Sequence, residues 1–326
     1  MRALALFSGG LDSMLAIKLI SDQGIEVIAL HVNIGFGSKT DRSDILKSRA
    51  LKAGARLEVL DVREQYVQEI LFNPKYGYGK NFNPCIDCHG FMFRLALELL
   101  PRFDANFIVT GEVIGQRPMS QRSVALKNVQ SLANDTQRLI VRPLCAKHLD
   151  ITLPEEKGWI DREKLLDITG RNREVQMKLA QKYGFDDYET PGGGCLLTIK
   201  AYSDRIKDVI AHDKFDVEDV ELLKCGRHLR LPNGAKLVIG RNEADNLALE
   251  KLQLSKYNMI DLHGLTGPAG CLHVNATKED TKLAIELILA YTRAEKNKQH
   301  PVTIGSKTYH EVPLPSKEAA QKYFVH

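Results

Sequence analysis

Short apolar runs alternate with stretches of helical period through the first two hundred residues. The runs fall at 3–7, 26–32, 56–62 and 106–110, with 139–141 as a fifth. Helical periodicity lies near 12–22, 41–53, 64–71, 89–100 and 173–183. Continuous apolar strands separated by helices are the pattern of a parallel sheet covered on both faces. The expected fold class is α/β, with five parallel strands and a ligand at their carboxyl ends. Informative residues stand where such a sheet would put them: Ser8 after the first run, Asn33 after the second, Gly111 after the fourth.

Near residue 200 the texture changes. Residues 201–212 pattern as a helix, 227–240 as a hairpin turning at Pro232-Asn233-Gly234, and 278–294 as a helix with Asn275 and Thr277 as cap candidates. Two domains are expected, 1–200 and a smaller α/β domain over 201–326. No internal repeat or low-complexity tract interrupts them.

Composition changes this picture little. Hydrophobic residues make up 44% and charged residues 26% of the 326, ordinary values for a globular chain long enough for two cores. A net charge of +4 permits nucleic-acid binding without demanding it. The N-terminus enters a strand directly, and no apolar run has the length of a membrane span. A cytoplasmic protein with no membrane partner is expected. In a reducing compartment six cysteines point to metal, catalysis or burial rather than disulfides.

Two segments carry candidate chemistry. The first is Ser8-Gly9-Gly10-Leu11-Asp12-Ser13, between a strand and a helix. Backbone amides and the positive helix end make such a turn a phosphate site. Gly9 and Gly10 are expected to allow positive φ and close ligand approach, Ser8 and Ser13 to add hydroxyl donors, and Asp12 to hold Mg²⁺. It is not a Walker loop, since GxxxxGK[ST] is absent. The second segment is Asn83-Pro84-Cys85-Ile86-Asp87-Cys88-His89, opening a helix. Two cysteines three apart can reach one metal, and the helix start is expected to lower their thiol pKa. Cys195, behind the glycines 192–194, is the candidate to complete the site. Cys145, Cys225 and Cys271 lack a comparable setting and read as structural. Zinc would want a fourth ligand, and His89 would have to fold back to supply it. Without metal, Cys195 would carry a persulfide that Cys88 resolves.

The first segment resembles the SGGxDS signature of the PP-loop ATP pyrophosphatases. That resemblance implies an adenine nucleotide α-hydrolase-like sheet, ATP cleaved between its α and β phosphates, and AMP transferred to a carbonyl-type oxygen. It places Ser8, Gly9, Gly10, Asp12 and Ser13 around the phosphates, His31 and Val32 near the adenine, and Thr110-Gly111-Glu112 near the reacting centre. The pattern Asn-Pro-x-x-x-Cys with a late Gly-x-Cys is similar to bacterial tRNA 2-thiouridylases, where Cys88 and Cys195 take the places of the paired catalytic cysteines. Many members have aspartate where this chain has Cys85. With Cys85 the set resembles the ligands of iron–sulfur tRNA thiolases, implying a [4Fe–4S] cluster on Cys85, Cys88 and Cys195 with an open fourth iron. Residues 111–121 resemble the post-strand element of 4-thiouridine-type thiolases, with Gln116 and Ser120 toward the nucleotide and Arg117 toward phosphate. Arg171 and Arg173 stand either for RNA phosphate contacts or for a solvated turn.

Residues 237–246 and 265–270 resemble the RNA-binding domain called NFACT-R. Arg241, Asn242 and Asn246 would then bond RNA, beside a positive run of Lys224, Arg227, Arg230 and Lys236. Together these expectations describe an ATP-dependent tRNA sulfurtransferase with Asp12, Cys88 and Cys195 catalytic. Its cofactors would be ATP, Mg²⁺ and a [4Fe–4S] cluster. Its partners would be tRNA and a sulfur donor (hydrosulfide, or a carrier or cysteine desulfurase), with a homodimer left open. The alternatives are a small-molecule PP-loop ligase or amidotransferase with structural cysteines, a cluster-free persulfide thiouridylase, and an RNA-binding protein with a vestigial nucleotide site.

Overall fold

The computed structural model describes residues 1–37, 42–189 and 194–325. Gly192 and Gly193 of the expected glycine loop lie outside the described residues, as does residue 41 of the second expected helix. The chain divides into two compact units, Met1–Cys195 and Leu196–His326.

The first unit is built on five strands: β1 Arg2–Leu6, β2 Glu26–Asn33, β3 Ala55–Asp61, β4 Phe107–Val109 and β5 Ile140–Val141. They run parallel in the order β3-β2-β1-β4-β5, with Leu4 in register with Ile28 on one side and Ile108 on the other. Chain order reverses direction at β1, so a crevice opens between the exits of β1 and β4. The helices are α1 Leu11–Ser21, α2 Ser43–Ala53, α3 Arg63–Tyr66, α4 Cys85–Leu99, α5 Ser123–Ala133, α6 Leu153–Glu156 and α7 Glu174–Tyr183. Leu11, Met14, Leu15, Ile17 and Ile20 of α1 are all buried, because α1 lies between the sheet and the outer helices α2 and α7. The expected stretch 64–71 is split: α3 passes into a π turn, Val67–Leu71. The sequence did not foresee α5, which ends on Asn134 in the left-handed region.

The second unit adds α8 Lys200–His212, α9 Val217–Leu222, α10 Glu243–Lys251 and α11 Lys278–Leu289 to six strands. These are β6 Arg227–Arg230, β7 Lys236–Ile239, β8 Tyr257–Asp261, β9 Gly270–His273, β10 His300–Ile304 and β11 Lys307–Glu311. All pairs are antiparallel, in the order β11-β10-β8-β9-β7-β6. The expected hairpin is β6–β7, and Thr277 caps α11 by accepting from the Asp280 amide at 3.1 Å. That helix stops at Leu289, short of the expected 294.

Candidate active site

A cavity of about 330 Å³ opens at the carboxyl ends of β1, β2 and β4. Ser8, Gly10, Asp12, Ser13, His31, Val32 and Gly111 line it, joined by His89, Glu112, Arg117, Arg173 and Cys195. That volume lies at the small end of the range for ligand sites.

Gly9 adopts φ +78°, and a Cβ there would meet Leu46 Cδ2 at 2.6 Å. Its carbonyl, behind the cavity wall, accepts from Arg49 Nη1 at 3.2 Å. Gly10 departs from expectation: it is extended at φ −84° and forms the N-cap of α1. Only the first glycine of the pair meets the backbone demand, and Gly10 is left for close approach of a ligand. Gly9→Ala is expected to cost about 1–2 kcal/mol in thermal unfolding, and Gly10→Ala less than about 1 kcal/mol. If Gly10→Ala nonetheless weakens nucleotide binding by calorimetry, the ligand touches this amide; unchanged binding would count against it. Gly111 is fixed by packing, since its Cβ would lie 2.5 Å from the Asp12 carbonyl carbon and 2.6 Å from the Ser13 nitrogen. The β4 exit thus presses directly on the first turn of α1.

The polar groups around the loop satisfy one another. Ser13 Oγ donates to the Gly10 carbonyl at 2.8 Å, and the Gly10 amide donates to Ser8 Oγ at 3.3 Å. The Asp12 carboxylate accepts from Gln116 Nε2 at 2.6 Å and from Arg173 Nη2 at 3.1 Å. Gln116 is held in turn by Gln176 at 3.0 Å. Of the two arginines before α7, Arg173 faces the cavity and Arg171 does not. Ser120, expected near the nucleotide, is buried away from the cavity, whereas Arg117 and Gln121 line it. His31 Nδ1 bonds the Phe7 carbonyl at 2.9 Å, and its ring lines the cavity. Burial, partly offset by that bond, pushes its pKa down.

The segment that leads to Cys195 is tied to the loop. The Glu189 amide donates to the Gly9 carbonyl at 3.4 Å, and Glu189 bridges Gly10 in parallel. Arg49 grips Asp187 through Nη2 at 2.7 Å and Nε at 3.2 Å, and Arg42 pairs with Glu189.

The cysteines open α4. Asn83 Nδ2 donates to Cys85 Sγ at 3.1 Å, and the Asp87 carboxylate receives the amides of Lys75 and Tyr76 at 2.7 and 3.1 Å. The expected lowering of their thiol pKa is reversed. Burial raises the Cys85 thiol, with Asn83 and Arg117 opposing. Burial raises the Cys88 thiol far more, reinforced by nearby Cys195 and Cys85 and opposed by Tyr66. Cys88 therefore lies within electrostatic reach of both Cys85 and Cys195. Only Cys195 among them lines the cavity. Among the described residues, no group of three or more His, Cys, Asp or Glu side chains has the arrangement of a metal centre.

Beside them lies a buried network with no local mark in the sequence. Glu112 accepts from His89 Nδ1 at 2.8 Å and from Arg142 Nε at 2.9 Å. The first bond fixes the orientation of the His89 ring, which also lines the cavity.

The comparisons follow this geometry. Residues 2–77 match the family model described as Arginosuccinate synthase N-terminal HUP domain. That part of the first unit is similar to HUP domains. Residues 226–324 match the model described as NFACT protein RNA binding domain. The chain is 33% identical over 118 residues to the tRNA-specific 2-thiouridylase MnmA of Helicobacter hepaticus, covering 34% of each chain. It is 28% identical over 168 residues to a probable tRNA sulfurtransferase of Thermococcus kodakarensis, covering 51% of this chain and 39% of that one. The chain thus spans well under half the length of these curated relatives. A 4-thiouridine synthetase crystallised with RNA and bound ATP superposes at a TM-score of 0.40 and 20% identity, over 68% of this chain and 52% of that one. That superposition is too loose to carry an argument.

In the region similar to the NFACT RNA-binding model, the residues expected to bond RNA have structural tasks. Asn242 caps α10, accepting from the Asp245 amide at 2.9 Å. Asn246 Oδ1 accepts the Ala269 amide at 3.1 Å, and Arg241 pairs with Asp245. The expected positive run is likewise engaged. Lys224 pairs with Glu221, Arg230 and Lys236 share Asp208, and Arg227 bonds the Gly240 carbonyl at 2.7 Å.

Proposed function

We propose that the chain is an ATP-dependent tRNA sulfurtransferase. The observation that carries this reading is that Cys195 and the Ser8–Ser13 loop face one cavity. ATP would sit with its phosphates on the amides at the start of α1, and its adenine toward His31 and Val32. Arg173 and Arg117, which line the same cavity, supply positive charge. Phosphates entering there would draw Arg173 from Asp12 and free that carboxylate for Mg²⁺. A base carbonyl oxygen then attacks the α-phosphorus, the bond to the β-phosphate oxygen breaks and pyrophosphate leaves. Positioning and charge neutralisation carry this step. Sulfur attacks the activated carbon next, the carbon–oxygen bond breaks, and AMP departs with the oxygen. Cys195, which lines the cavity, would present that sulfur, with Cys88 as its near neighbour.

Cys85, Cys88 and Cys195 are soft sulfur donors of the kind a [4Fe–4S] cluster takes, and binding iron would favour the thiolate form that burial opposes at Cys85 and Cys88. Such a cluster would be held by these three residues and would supply a site for sulfide. Anaerobically purified protein with absorbance near 400 nm supports the cluster; colourless, iron-free protein that still thiolates tRNA removes it. Cys85→Ser separates the triad from the Cys88–Cys195 pair. Thiolation reduced at least about tenfold is expected with the triad, whereas unimpaired thiolation leaves the persulfide route. The decisive experiment is nucleoside analysis of tRNA from cells lacking the protein, with AMP formation measured with and without tRNA. A full set of thiolated nucleosides, and AMP formation indifferent to tRNA, would turn the reading to a small-molecule ligase.

A further inference from the structure

Tyr66 closes α3 immediately before the π turn, and its side chain is fully buried. Phe36 and Phe91 flank its ring at centroid distances of 5.8 Å each, the second edge-on. Among the described residues, its hydroxyl meets no partner in good hydrogen-bond geometry, and the group it stands against is the Cys88 sulfur, a poor acceptor whose raised thiol pKa it opposes. A buried hydroxyl without a good partner costs about 1–3 kcal/mol. Phenylalanine would fill the same space without that cost. The hydroxyl is not directed at the nucleotide, since Tyr66 is absent from the cavity wall. Its electrostatic neighbours are instead the sulfurs of Cys88, Cys195 and Cys85. A neutral thiol is a weak acceptor, whereas thiolate, hydrosulfide and the terminal sulfur of a persulfide carry the negative charge that a phenol bonds well.

We propose that Tyr66 is a sulfur-binding residue, whose hydroxyl donates a hydrogen bond to the anionic sulfur carried among Cys85, Cys88 and Cys195 on its way to the substrate. The proposal rests on the sulfurtransferase reading and adds to it the group that holds the cargo in a site otherwise poor in donors. No bond is made or broken by Tyr66. It keeps its proton and stabilises the sulfur while that sulfur waits for the activated base.

The test is Tyr66→Phe in the full chain, with three readouts. Thermal unfolding is expected to be unchanged or slightly raised, because a poorly partnered hydroxyl is lost. Sulfane sulfur retained after incubation with sodium polysulfide and desalting, measured by cold cyanolysis, is expected to fall about tenfold. Thiolated nucleoside is expected to fall about 10- to 100-fold, with AMP formation and the KM for ATP unchanged. Para-aminophenylalanine at position 66 restores a donor and should recover part of both losses. Tyr66→Phe that retains and transfers sulfur like the wild type overturns the proposal. So does a fall in melting temperature of more than a few degrees, which would mark the residue as structural. Wild-type protein that neither retains sulfur nor thiolates tRNA overturns the sulfurtransferase reading itself, a result distinct from the other two.

Discussion

Cys195→Ser is expected to lower tRNA thiolation by at least about 1000-fold while leaving AMP formation and ATP affinity within a few-fold of wild type. Serine nearly matches the side chain in shape, so the tie between residues 185–189 and the loop should survive. What is lost is a soft sulfur able to carry another sulfur or to bind iron. The contrast with Cys145 makes the result specific. Cys145 is fully buried, its thiol is pushed up to about 11 by burial, and its Sγ donates to the Glu112 carbonyl at 3.4 Å. Cys145→Ser preserves that donor and should leave thiolation within about threefold. Nucleoside digests of tRNA after single turnover, with AMP followed in the same reaction, separate the two steps. Thiolation that survives Cys195→Ser would mean that sulfur reaches the base by another path.

The sheet of the first unit was legible because β1, β2, β4 and β5 are short apolar runs that are mostly buried, with only β3 mixed and partly exposed, and the loop because its serines, glycines and aspartate sit between strand and helix. The sheet of the second unit was mostly illegible. Its strands are four or five residues long, and β11 is largely exposed and polar, so no run or strict alternation marks it. The Gly9–Gly10 pair shows a finer limit: the dipeptide announces a turn but not which residue takes the left-handed conformation. Asn242 shows the opposite error. Asn242-Glu243-Ala244-Asp245 is a helix-start pattern, and its capping role was present in the sequence beside the RNA reading. Tyr66, Arg49 and Arg142 were missed for a different reason. Each acts on residues far away in sequence, as when Arg142 at the exit of β5 reaches Glu112 at the exit of β4. Such contacts exist only once strand order is known.

The same pair gives the largest expected effect on stability. Glu112 and Arg142 are 4% and 6% exposed, and Arg142 has a further buried nitrogen, Nη2, with no partner among the described residues. Glu112→Gln leaves a guanidinium in the interior opposite a neutral amide. Removing one member of a buried pair costs about 3–5 kcal/mol, and for a unit of this size about 3 kcal/mol lowers the melting temperature by roughly 10 °C. The cost should come largely from the stranded charge. Glu112→Gln combined with Arg142→Met should therefore recover about 1–2 kcal/mol, a coupling that independent sites would not show. The acid limb offers a second check. Burial pushes the Glu112 carboxyl up, but Arg142 and the His89 hydrogen bond outweigh it and hold it below the ordinary glutamate range. As pH falls past about 4.3 the unfolded chain takes up this proton before the folded one does. The stabilisation is complete above that pH and is lost as pH falls through the lower folded value. Unfolding by denaturant between pH 6 and pH 3 should show a shallower loss for Glu112→Gln than for wild type. Equal slopes and equal melting temperatures would mean that the network orients His89 without stabilising the domain.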